Sequence, residues 1–87
     1  MGRHDKLLAR ILRGGTDANI SFSELCALLA HLGFDERGRG SHRVFTRPGI
    51  EELINLQEAG AKAKVYQVRQ VRAILPKYGI DADEPGE

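Results

Sequence analysis

The chain has 87 residues, of which 41% are hydrophobic and 29% charged, a composition typical of one small globular domain. No apolar run approaches the roughly 18 residues that a membrane-spanning helix needs, and one cysteine, Cys26, excludes an internal disulfide framework. The N-terminus has no apolar segment of the secretory kind, so we expect a cytoplasmic protein.

The charges are distributed unevenly. The formal net charge is +1, yet residues 81–87 hold four acids and no base, so the rest of the chain is basic. A basic body favours a polyanionic partner, most commonly nucleic acid. A solvated surface with a solubilising acidic tail explains the same charges equally well. We interpret residues 81–87 as an acidic disordered tail.

Two helices are predicted at the start of the chain. Residues 3–13 place leucine and isoleucine on one side and basic residues on the other, as in an amphipathic helix. Ser21 and Glu24 have the spacing of a capping box, which begins a second helix. Gly33 is placed to end this helix.

From Phe34 the apolar period changes from about 3.6 to 2, which predicts three short antiparallel strands. They cover residues 34–37, 41–47 and 52–57 and are joined by turns at Gly38-Arg39-Gly40 and Pro48-Gly49. A last helix is expected over residues 64–75, with Pro76 ending or kinking it. The order α-α-β-β-β-α indicates an α+β fold whose sheet is covered on one face by helices.

The alternation of side chains assigns the two faces of this sheet. Phe45, Ile54 and Leu56 belong on the covered face. The open face carries a second set: His42, Val44, Thr46, Leu53, Asn55 and Gln57. It is polar but mostly uncharged.

Of the three histidines, His42 has the most distinctive surroundings. His4 lies near a free end, and His31 fits the last turn of a helix, where the helix dipole favours its charged form. His42 follows a glycine turn on the open face, between Arg39 and Arg47 in the sequence. A lone histidine on a strand is more often surface decoration than a catalyst, so this position alone defines no site.

Other chemistries find little support in the sequence. No histidine or carboxylate pair has metal-ligand spacing. Gly38-Arg39-Gly40 is too short for a phosphate-binding fingerprint, and Cys26 falls on the apolar stripe of the second helix, as a core residue does. We therefore expect neither a metal nor a cofactor.

Residues 20–80 resemble the HicA toxin family, small mRNA interferases of bacterial and archaeal toxin–antitoxin pairs. The matching stretches are Ile20–Leu25, Leu28–Phe34, Gly40-Ser41-His42-Arg43-Val44-Phe45, Ile54–Gln57 and Lys64–Val71. On this basis residues 16–80 form the HicA-like domain, residues 1–15 a helical extension and residues 81–87 the tail.

The resemblance implies a fold similar to double-stranded-RNA-binding domains and ribonuclease activity on mRNA. It makes the motif histidine, His42, essential, and it implies a HicB-like antitoxin that covers the active site. The residues expected to hold RNA are Arg39, Ser41, Arg43, Lys62, Lys64, Arg69 and Arg72. Strand alternation makes Arg43 a weaker candidate than Arg39, because it places Arg43 opposite His42.

Two other functions fit the same basic surface. One is a non-catalytic RNA-binding module that reads the shape of the A-form helix and leaves His42 idle. The other is an interaction protein whose basic face meets an acidic partner.

Overall fold

A computed structural model describes residues 2–80, in which two helices cover one face of an antiparallel sheet and a third helix packs on those two. The elements in chain order are α1 (Arg3–Arg13), a 3₁₀ turn (Asp17–Asn19), α2 (Phe22–His31), β1 (Asp35–Arg39), β2 (His42–Arg47), β3 (Ile50–Ala59), β4 (Lys62–Ala63) and α3 (Val65–Lys77). No described helix is long and apolar enough to cross a membrane. The expected acidic tail, residues 81–87, lies outside the described residues.

The α+β fold is confirmed, but the sheet has four strands, in the order β1-β2-β3-β4, where the sequence predicted three. The additional strand, β4, has only two residues, and a two-residue turn, Gly60-Ala61, connects it to β3. Both turn residues have positive φ, +58° for Gly60 and +68° for Ala61, as a type I′ hairpin turn requires. The segment between the third strand and the last helix is therefore a tight hairpin at Gly60-Ala61.

The β1–β2 hairpin sets the position of His42. Its turn is Gly40-Ser41, with φ of +62° at Gly40, as the first central residue of a type II′ turn requires. Arg39 consequently lies directly opposite His42. Gly38 and Arg39, which the sequence assigned to the turn, belong to β1 instead.

The helix boundaries follow the predicted signals with one difference. Ser21 caps α2, since its Oγ accepts a hydrogen bond from the Glu24 amide at 3.3 Å. Gly33, with φ of +96°, follows the end of α2. Helix α3 continues through Pro76 to Lys77, two residues further than expected, because Pro76 falls in the last turn. Pro76 has no backbone N–H to donate, so the helix is short of one amide donor in its last turn. Beyond Lys77 the chain turns at Gly79, and the Ile80 amide donates to the Leu75 carbonyl at 3.0 Å.

The core lies between the sheet and the helices and is aliphatic apart from three phenylalanines and one cysteine. Phe45, Ile54 and Leu56 are fully buried, which confirms the predicted covered face. Leu8 and Ile11 of α1 belong to the same cluster, so the first helix is part of the core.

Candidate active site

His42 is exposed at the start of β2, on the face of the sheet that no helix covers. Its neighbours across the sheet are Arg39 on β1 and Gln57 on β3. The ring Nε2 lies 3.3 Å from Oδ1 of Asn55, two residues along β3 from Gln57. The predicted open face is thus confirmed at these positions, and the imidazole is held by an amide partner.

The Asn55 contact distinguishes the two ring nitrogens of His42. An amide oxygen can only accept a hydrogen bond, so Nε2 is the donor in this contact. Nδ1 is then the unprotonated nitrogen in the neutral ring. The geometry leaves one basic nitrogen on an exposed imidazole whose orientation a neighbouring side chain fixes.

A cation from another element joins this group. Lys64, the residue that precedes α3, places Nζ 3.1 Å from Oε1 of Gln57. Because Gln57 is the direct neighbour of His42 on β3, Lys64 brings positive charge to the β3 side of the histidine, and Arg39 brings it to the β1 side. An anion bound at His42 would therefore lie between two positive side chains.

Gln67 is a buried polar residue that links α3 to the site. It is 2% exposed, and its Oε1 accepts a hydrogen bond from the backbone amide of Gln57 at 2.9 Å. Strand β4 ends one residue before it could pair with Gln57, so the Gln67 side chain takes the place of a strand partner. Gln67 is a residue that sequence reasoning missed, although its place on the α3 core stripe, four residues before Val71, is a legible signal.

Tyr66 is the second residue that sequence reasoning missed. It is 61% exposed, and its hydroxyl lies 3.5 Å from Nε2 of Gln67, beside the cluster around His42. Its only signal in the sequence is an aromatic residue off the core stripe of α3. An exposed ring at this place offers a flat surface for a base.

Two predicted RNA-binding arginines are occupied elsewhere. Arg43 lies on the covered side of the sheet, where it pairs with Glu36 and its guanidinium sits 6.0 Å from the centre of the Phe22 ring. The hydrogen bond to Glu36 raises the pKa of Arg43. Arg72 donates to the Ile11 carbonyl at 2.8 Å and also pairs with Asp17. The hydrogen bond from Arg72 to the Asp17 carboxylate lowers the pKa of Asp17.

The remaining predicted RNA-binding residues lie either next to His42 or beside the 3₁₀ turn. Ser41 lies in the turn before His42, and its carbonyl accepts from the Glu58 amide at 2.8 Å. Lys62 is exposed on β4, with Nζ 3.1 Å from Oδ1 of Asn19. Arg69 is exposed on α3 and lies 3.6 Å from Asp17. The structure therefore groups Arg39, Ser41 and Lys64 with His42, and it connects Lys62 and Arg69 to the 3₁₀ turn.

The other nucleophilic and titratable candidates lie apart from this cluster. His4 and His31 stack on each other, 4.4 Å between ring centres, where α1 meets α2. Cys26 is buried in the core, and burial raises the pKa of its thiol to about 11. Within residues 2–80, no three or more His, Cys, Asp or Glu side chains converge as a metal site would.

Comparison with known proteins gives one family. A family model described as the HicA toxin of bacterial toxin–antitoxin systems matches residues 22–80, from the start of α2 to the end of the described chain. Searches of curated proteins and of solved structures returned no significant match. The matched region contains the whole sheet, α2, α3 and the cluster around His42. The chain belongs to the HicA family and is the toxin of a bacterial toxin–antitoxin system, with an antitoxin as its partner.

Proposed function

We propose that this toxin is an endoribonuclease that cleaves mRNA with His42 as its catalytic residue and without a metal ion. The observation that carries the proposal is the setting of the ring. His42 is exposed on the open face, its Nε2 is engaged by Asn55, and Lys64 reaches its neighbour Gln57. A double-stranded-RNA-binding-like fold, implied by the family resemblance, agrees with the sheet and its two covering helices.

The chemistry needs few protein groups because RNA contains its own nucleophile. Nδ1 of His42 takes the proton from a ribose 2′-hydroxyl, and the oxygen attacks the adjacent phosphorus. A bond forms between O2′ and phosphorus, the bond from phosphorus to O5′ breaks, and the imidazolium returns the proton to O5′. The products are a 2′,3′-cyclic phosphate and a 5′-hydroxyl. Since the reaction is intramolecular, positioning supplies much of the acceleration.

The two cations act on the charge that develops in this reaction. Arg39 and Lys64 flank His42 from neighbouring elements, where they stabilise the growing negative charge on the phosphorane oxygens. Asn55 and Gln67 are positioning residues. Asn55 sets the orientation of the His42 ring. Gln67 fixes the backbone of Gln57, and the side chain of Gln57 contacts Lys64.

The open face suits single-stranded RNA. Tyr66, 61% exposed, provides a ring on which one unpaired base can stack, and Leu53, 54% exposed, adds apolar surface on β3. Stacking on an aromatic ring tolerates any base, so it positions the strand without reading its sequence. We propose mRNA as the substrate and a HicB-like antitoxin in the cytoplasm as the partner that covers this face.

Cleavage of an unstructured RNA by purified protein tests the proposal. We expect activity in the presence of EDTA and a loss of about 10²-fold or more in His42→Ala, because general acid–base catalysis contributes about 10²–10⁴-fold. His31→Ala is the matched control, since it removes an exposed imidazole far from the site in the fold and should keep wild-type activity. A single 2′-deoxy substitution at the cleaved position should block the reaction.

Two outcomes would contradict the proposal. Retained cleavage by His42→Ala would remove the histidine from the mechanism. Intact RNA in the presence of excess wild-type protein, with binding preserved, would favour the non-catalytic RNA-binding module. Growth arrest in cells that depends on His42 and is relieved by the antitoxin would support the assignment further.

A further inference from the structure

Helix α1 carries a stripe of cations on its outer side. Its four members are Arg3, Lys6, Arg10 and Arg13, at positions i, i+3, i+7 and i+10. This spacing places them on one side of an α-helix, away from the buried Leu8 and Ile11. The helix precedes residues 22–80, so the stripe is a feature of this chain outside the region that the family model matches.

Three of the four charges of the stripe are available to a ligand, whereas Arg10 is half-buried and donates to the Thr16 hydroxyl at 3.0 Å and to the Asn19 carbonyl. Arg3, Lys6 and Arg13 are exposed. Within residues 2–80 none of the four lies within 4.0 Å of a carboxylate oxygen, whereas the ion pairs of that region all use other cations. The one acid in the shallow depression along the stripe is Glu24, which lies there with Arg3, Lys6 and Arg10. The surface therefore has a net positive charge that the fold does not neutralise.

The stripe is continuous with the candidate active site through one residue. Arg10 donates to the Asn19 carbonyl at 2.9 Å, and Lys62 donates to the Asn19 side chain at 3.1 Å. Lys62 and Lys64 flank the buried Ala63, so strand alternation points both lysines to the open side. Lys64 in turn reaches the neighbour of His42. Positive side chains thus follow each other from His42 around the β4 edge to α1.

We propose that this path is an extended RNA-binding track, in which a strand cleaved at His42 runs past Lys64 and Lys62 onto the stripe of α1. The inference rests on the proposed ribonuclease function and adds to it a second phosphate-binding surface. Each lysine or arginine along the track neutralises phosphate charge and releases a counterion. The track makes affinity depend on the length of the RNA, while cleavage of a short RNA needs only the site itself.

The composition of the surface favours RNA over an acidic protein. Interfaces between proteins usually depend on a few buried aromatic or apolar anchors. The large hydrophobic side chains exposed within residues 2–80 are Leu53 and Tyr66, and neither lies on α1. The outer side of α1 offers charge without such an anchor, which is the pattern of a phosphate-binding surface.

Binding measurements with RNAs of two lengths test the track. The protein carries His42→Ala, so that the RNA stays intact, and fluorescence anisotropy reports binding of a 12-nucleotide and a 4-nucleotide RNA. Adding Arg3→Gln and Lys6→Gln should weaken binding of the longer RNA about tenfold at about 0.15 M salt and reduce its salt slope by about 1.4, or about 0.7 for each lost phosphate contact. Binding of the shorter RNA should not change.

The matched control is Arg47→Gln with Lys77→Gln, which removes the same charge from residues outside the track. Unchanged binding of the long RNA by Arg3→Gln/Lys6→Gln would overturn the track, as would an equal loss in the control pair. If the α1 stripe binds an acidic protein and not RNA, Arg3→Gln/Lys6→Gln should bind the long RNA with unchanged affinity. The active site is tested separately, because Arg3→Gln/Lys6→Gln with His42 intact should cleave the 4-nucleotide RNA at the wild-type rate whether or not the track exists.

Discussion

Gly38 determines how closely β1 can approach β2 beside the candidate site. Its φ is +109°, and a Cβ atom added there would lie 2.4 Å from the backbone oxygen of His42. Neither strand backbone can move away without disturbing the Arg39–His42 pair. A glycine that the sequence assigns to a flexible turn is thus a fixed point of the hairpin.

Gly38→Ala should therefore lower both stability and activity. We expect the free energy of unfolding to fall by at least about 2 kcal/mol, from the left-handed backbone and the clash together. Gly40→Ala is the control, since its φ of +62° is also positive but its Cβ would meet no atom within 4 Å, so about 1 kcal/mol is expected. Urea denaturation measures both values. Equal losses in the two variants would mean that the contact with His42 is not the cause.

For single residues, the sequence predicted which face of a strand each side chain occupies but not the contacts between elements. Period-2 alternation is a local property, so it placed His42 and Asn55 together and Arg43 opposite them, as the structure does. Gln67 and Tyr66 escaped because their role depends on where α3 crosses β3, which no local period encodes. The role of His42 in cleavage stays a prediction.

Glu52 connects β3 to the end of α3. Lys77 Nζ lies 2.6 Å from one carboxylate oxygen, and the Tyr78 hydroxyl donates to the other at 2.5 Å. The hydrogen bond from Lys77, followed by that from Tyr78, lowers the pKa of Glu52 from 4.5 to about 2. The ionised form is therefore favoured by folding.

This pKa shift makes stability depend on pH in one direction. The contribution of Glu52 is complete above its unfolded pKa of 4.5 and is lost as the pH falls towards about 2. Glu52→Gln should be less stable than wild type at neutral pH and should lose less stability over this acid range. Denaturation at several pH values measures the difference, with Glu51→Gln as the control at the next position. A wild-type acid profile in Glu52→Gln would contradict the assignment.

Among the elements, the long ones were predictable and the short one was not. α1, α2, α3 and the first three strands carry enough residues to show a period, and their boundaries were predicted to within a few residues. β4 has two residues, too few for alternation to register. Its existence depends on the Gly60-Ala61 turn, and Ala61 with φ of +68° is an unfavourable residue for that turn.

The core of the whole molecule includes a helix that the family model does not match. Leu7, Leu8 and Ile11 of α1 are at most 6% exposed and join the cluster built by α2 and α3. Arg72 reinforces this packing by bonding to the Ile11 carbonyl. We therefore expect the extension to unfold together with the toxin domain.

Ile11→Ala should accordingly destabilise the entire protein. Ile11 is 1% exposed, and removal of a buried isoleucine side chain costs about 2–5 kcal/mol. Lys6→Ala on the exposed side of the same helix is the control, with an expected change within about 0.5 kcal/mol. Thermal unfolding followed at both helix and sheet signals measures the effect. A separate early transition for α1 in wild type would show that the helix is not cooperative with the rest.

The Gln67 side chain takes the place of a missing strand partner beside Gln57, and this affects how the protein behaves at high concentration. Gln67 occupies the amide of Gln57, and the Tyr78 hydroxyl occupies that of Glu51, so two outward amides of β3 are already bonded and are not offered to a second molecule. The opposite rim, β1, carries four charged side chains and one glycine, all exposed, which also discourages pairing between copies. We therefore expect both edges of the sheet to pair poorly with a second copy of this protein.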